Sequence, residues 1–81
     1  MKENVDYGKI QSLIDSIKLR GDFDYGLDEL ERQGLQRICI DYSIALEELS
    51  YEERKLLWSE LMDLARENDF TRSFKEFEDE E

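Results

Sequence analysis

Histidine and proline are absent from this chain, cysteine occurs once, and there are four glycines. Each scarcity closes off a class of chemistry. Without histidine no Ser–His or Cys–His relay can form, and the usual zinc ligand sets cannot be assembled. The lone Cys39 excludes an intrachain disulfide and a thiolate metal cluster. It sits in Arg37-Ile38-Cys39-Ile40, a setting for a buried, inert thiol rather than a nucleophile. Gly21, Gly26 and Gly34 are isolated, so no glycine-rich phosphate loop exists. No signal peptide or membrane span is visible, which makes a cytoplasmic protein the expectation. Basic residues such as Lys9, Lys18, Arg20, Arg32, Arg37 and Lys55 are scattered singly. No basic patch with interleaved aromatics is therefore available to DNA or RNA. The expectation is a protein that is not an enzyme, with no cofactor, no metal and no direct nucleic-acid or membrane partner.

What is abundant is negative charge. Twenty-two acids against 11 bases leave a net charge of −11 in 81 residues. Residues 1–40 hold eight acids and six bases, whereas residues 41–81 hold fourteen and five, so −9 of the charge lies in the second half. Such a surface repels nucleic acid and anionic membranes and attracts basic partners, with fast, salt-sensitive association. An apolar content of 40% with helical periodicity argues for a folded chain rather than a disordered one. The length suits one small domain spanning residues 1–81, in which a homodimer would add stability.

The strongest helical signal is Ser50 to Asp69. Ser50 followed by Glu53 is a capping box, and Glu52 and Glu53 place negative charge where the helix dipole favours it. Leu57, Trp58, Leu61, Met62, Leu64 and Ala65 share one arc, and Glu53, Glu60, Asp63 and Glu67 share another. Asn68 reads as a left-handed stop. Upstream, Asn4 or Asp6 can cap a helix ending at Gly21 whose stripe is Ile10, Leu13, Ile14 and Ile17. Residues 27–49 read as a further helix, starting at Asp24 or nearer Gly26, with Gly34 weakening it or splitting it in two. Ile38, Cys39 and Ile40 imply burial nearly all round, as in a central helix. Alternation of Ile38, Ile40, Tyr42 and Ile44 also suits a strand, but no second strand exists to pair with it.

Between the first two helices, Gly21-Asp22-Phe23-Asp24-Tyr25-Gly26 combines two acids with two aromatics. It departs from a calcium loop, because Gly26 falls one position early and Gln33 stands where a bidentate Glu belongs. Phe23 and Tyr25 either fold back over the core or form an exposed anchor rimmed by carboxylates. At the other end, Phe70, Phe74 and Phe77 suit a short C-terminal helix capped by Asp69 or Thr71 and docked on the core, or a segment that docks on another protein. The architecture expected is an all-α, small single-domain bundle of three main helices plus that short one, frayed at residues 1–5 and 78–81.

Two functions follow. In the first, Glu53, Glu60, Asp63 and Glu67 stand in for phosphates, with Phe23, Tyr25, Phe74 and Phe77 giving grip. The protein would then inhibit a basic, nucleic-acid-binding protein by occupying its binding surface. In size, charge and lack of catalytic residues the chain resembles the small acidic proteins that bacteriophages use against host nucleases, CRISPR effectors or repressors. No motif is shared, so no residue role is carried over. In the second, a helical adaptor or regulatory subunit pairs through an apolar groove made by Trp58, Met62 and the Phe70/Phe74/Phe77 set.

Overall fold

The computed structural model describes residues 5–79, with side chains for residues 5–73. Phe74 and Phe77 as binding residues lie outside the described side chains, and the expected fraying of the two ends falls mostly on residues outside this range. Helix α1 (Tyr7–Arg20) is capped by Asp6, whose carboxylate accepts from the Lys9 N–H at 3.1 Å. It buries Ile10, Ile14 and Ile17 at the spacing of one helical face. It ends as expected on Gly21, left-handed at φ 72°, whose N–H bonds the Lys18 carbonyl.

Helix α2 (Leu27–Asp41) begins at Gly26 and is broken at Gly34, where φ 83° and ψ 159° leave helical geometry altogether. The sequence's weak point is thus a real break. The expected span to residue 49 is too long, however. Ser43 adopts φ 58°, and the N–H groups of Ser43 and Ile44 turn back to the carbonyls of Ile40 (3.2 Å) and Cys39 (2.8 Å). That pair of bonds closes a helix in the manner usual for glycine. A 3-10 turn (Leu46–Glu48) follows, and Leu49 drops into the core. Ile38 and Cys39 are buried as expected, but Ile40 is 64% exposed, so burial does not run all round α2.

The central element is instead α3 (Tyr51–Asp79), which packs against both other helices and supplies Leu57, Leu61 and Ala65 to the core. Asn68 does not stop it. The expected short C-terminal helix is the last part of this one continuous helix, about 43 Å long at 1.5 Å per residue. Its start is tied to the start of α1 and its Asn68 to the loop after α1, so α1 and α3 run side by side in the same direction. Helix α2 leaves from Asp69 and, past Gly34, crosses towards both: Tyr42 settles on Arg20 and Asp22, while Gln36 and Cys39 line a cleft with Arg54. No strand occurs among the described residues.

Candidate functional site

Glu53 is the first of the proposed phosphate surrogates, and the structure takes it out of the surface. The residue is only 7% exposed. One oxygen accepts from the Ser50 N–H (2.9 Å) while Ser50 Oγ accepts from the Glu53 N–H (3.1 Å), which completes the capping box. The other oxygen accepts from the Asp6 N–H at 2.8 Å, and the Lys9 ammonium lies 4.0 Å away. The same carboxylate therefore caps α3 and fastens the start of α1. Those two N–H donors, Ser50 first, hold the Glu53 carboxyl below its usual range. An acid committed in this way is a structural group.

The loop aromatics are likewise spoken for. Phe23 and Tyr25 are half-buried against the core and meet edge to face at 5.1 Å, with Tyr42 6.3 Å from Phe23. The Asn68 amide donates to both of their carbonyls, at 3.2 and 2.9 Å. Burial, followed by the charges of Asp41, Asp24 and Asp22, pushes the Tyr25 phenol up. Of the two expectations for this loop, the lid describes it and the exposed anchor does not. Neighbouring Tyr42 donates its hydroxyl to Asp22 at 2.9 Å beneath the Arg20 guanidinium, which ties the loop to the end of α2.

Beside Asn68, α3 makes a second fastening that the sequence did not announce. Asp69 accepts from the Leu27 N–H at 3.0 Å, satisfying one of the orphan donors at the start of α2. Glu29 accepts from the Gly26 N–H at 2.8 Å, and Arg72 donates to Glu29 (3.4 Å) and to the Asp24 carbonyl. The Gly26 bond, with Arg72 behind it, holds the Glu29 carboxyl low. Gly26 belongs here because a Cβ at that position would overlap the Asp69 carboxylate and stand 3.1 Å from its Cγ.

What remains open on α3 is its outer face. Glu60 is half-buried at the edge of the core, while Asp63 and Glu67 are exposed. Arg66 donates to Asp63 at 2.9 Å and partly neutralises the row. Phe70, expected to dock on the core, is instead 71% exposed. With Asp63, Arg66, Glu67 and Thr71 it lines an open depression of about 660 Å3. Trp58 and Met62, the adaptor's contact residues, are half-buried against the core. Among the described residues no group of three or more acidic or cysteine side chains is arranged to hold a metal ion. Nor is any helix among them long and apolar enough to cross a membrane.

Fold and surface together define a small all-α protein whose described residues form three helices and a 3-10 turn, organised on one long helix with an acidic outer face. Compared with models of protein families, with curated proteins and with solved structures, the chain matches none.

Proposed function

We propose that this protein is a small acidic inhibitor that lays the outer face of α3 on a basic, nucleic-acid-binding surface of another protein, as phage-type inhibitors of nucleases, CRISPR effectors or repressors do. The observation that carries the reading is the run of half-buried Glu60 and exposed Asp63 and Glu67 along one helix, in the half of the chain that holds −9 of the −11 charge. The three carboxylates span about 10 Å of helix axis at 1.5 Å per residue. Clasped at both ends to the other helices, they are held in place before a partner arrives, which lowers the ordering cost of binding. Glu53, Phe23 and Tyr25 have no part in this face.

The test is competition. A partner captured from host lysate should be released by nucleic acid and by salt, because exposed charges are screened beyond about 8 Å at physiological ionic strength. The double substitution Asp63→Lys and Glu67→Lys should lower affinity by roughly 100-fold or more, since like charges would then face the basic surface. Both positions are exposed, so the melting curve should stay near that of the parent. A partner that resists both salt and the double substitution would instead favour the adaptor, pairing through apolar contacts around Phe70.

A further inference from the structure

The end of α2 forms an apolar cleft to which the acidic row of α3 contributes nothing. After the stop at Ser43 the chain doubles back, and Ile44 and Leu46 come to share a depression of about 260 Å3 with Cys39 and Ile40. Ile44 and Leu46 are half-buried against the core, whereas Ile40 is 64% exposed. A single exposed isoleucine is ordinary, but one that borders an open apolar cleft extends it into a contact surface. The charges around the cleft decide what can sit there. Its lining holds one acid, Glu47, and one base, Arg54, whose Nε donates to the Leu49 carbonyl at 3.2 Å. Beside Ile40 on α2, Arg37 and Asp41 form an ion pair at 3.7 Å. Here two acids and two bases cancel, in a chain whose net charge is −11.

We propose that this cleft is the interface of a two-fold homodimer, in which Ile40 of each copy enters the cleft of the other and Arg37 of each copy meets Glu47 of the other. A basic partner is drawn to surplus acid and finds none here. A second copy is repelled wherever that surplus lies and can approach only a balanced patch. An isologous contact, in which one patch meets itself, also requires both signs on the same patch, and this one carries both. The Arg37 side chain is 65% exposed and Glu47 is exposed as well, so both reach outwards. Ile38, Cys39 and Leu49 anchor the two walls in the core, so the surfaces that meet are already ordered. A chain this short also gains from burying more apolar surface than its own core provides. The proposal does not depend on the function proposed for α3, none of whose acidic row lines the cleft.

Sedimentation equilibrium of the full chain tests this directly. It should show a monomer–dimer equilibrium with a dissociation constant on the order of 10 µM, as suits a small interface. Ile40→Glu should weaken the dimer by roughly 100-fold or more, because two-fold symmetry buries two charges at once. Arg37→Glu and Glu47→Arg should each weaken it by roughly tenfold, since like charges then face each other twice. An equimolar mixture of those two variants should recover the parent's affinity, because every pair across the interface is again of opposite sign. All three positions are exposed, so circular dichroism melts of the dilute variants should stay near that of the dilute parent. A chain still monomeric at roughly 100 times the expected constant, a dimer indifferent to Ile40→Glu, or a mixture no better than either variant alone overturns the proposal. So does a monomeric chain that captures a foreign protein and releases it on Ile40→Glu, for the cleft then belongs to that protein.

Discussion

At its start α3 holds α1 through one buried carboxylate, whereas around Asn68 it holds the loop and the start of α2 through three side chains at the surface. Glu53 is enclosed and satisfied by backbone N–H groups from two segments. Asn68, Asp69 and Arg72 each make one or two bonds with their flanks open to water. A buried polar group left without its partner loses its full desolvation cost, while an exposed one finds water. The first fastening should therefore be far less tolerant of substitution than the second, although both look like ordinary helix caps.

Glu53→Ala breaks the comparison hardest. It leaves the N–H groups of Asp6 and Ser50 without their acceptor, so the melting temperature should fall by on the order of 10 °C. Glu53→Gln keeps the shape but turns one acceptor into a donor facing an N–H, and should recover less than half of the loss. A melt within about 2 °C of the parent for Glu53→Ala would mean that α1 is not held here.

At the other end, Gly26→Ala pushes a methyl into the Asp69 carboxylate and strips α2 of its cap, costing about 1–2 kcal/mol. The informative measurement is a double-mutant cycle. With Asp69→Ala already in place the methyl meets only the flexible end of Arg72, at 3.2 Å, and the cap is already gone, so Gly26→Ala should then cost much less. Additive losses would place the damage in the α2 backbone instead.

Acid sharpens the contrast without any mutation. Glu53 and Glu29 both have carboxyls held below the usual value of 4.5. A carboxyl whose pKa is lower in the folded state contributes stability above its unfolded value and loses it as pH falls through the folded one. Melting temperature should hold from neutral pH down to about 5 and fall below 4.5. Glu53→Gln should flatten that acid limb more than Glu29→Gln, whose carboxylate is half exposed and screened.

The same contrast explains what could be read in advance. Asp6, Gly21, Ser50 and Glu53 act within a few residues of themselves as caps or stops, so the start and end of α1 and the start of α3 were legible. Asn68 and Asp69 carry the same chemical signal, but their targets are Tyr25 and Leu27, more than forty residues away in sequence. Read locally, they ended α3 early and created a separate C-terminal helix. They terminate nothing in their own helix: Asn68 ties down the loop after α1, and Asp69 caps α2. Glu53 was misplaced for a related reason: helical spacing fixes the arc it shares with Glu60, Asp63 and Glu67, but only the approach of Asp6 decides that its end of the arc is covered. Farther along the row Asp63 and Glu67 are exposed, as their arc implies, with Arg66 of the same helix paired to Asp63.

Ser43 is the subtlest case and gives the smallest expected effect. The end of α2 is built with the bonds of a glycine stop, but on a serine at φ 58°, a conformation that strains a side chain with a Cβ. The sequence offered no glycine or asparagine there, and the regular apolar spacing through Ala45 and Leu49 carried the expected helix past its true end. Ser43 is exposed, so Ser43→Gly removes the strain and little buried surface. Against that gain stands the greater freedom of glycine in the unfolded chain. The balance should be a stabilisation of about 0.5 kcal/mol, seen as a rise of a few degrees in the melt. A fall instead would show that the serine side chain stabilises this turn, and that α2 ends where it does for a reason other than the backbone bonds of Ser43 and Ile44.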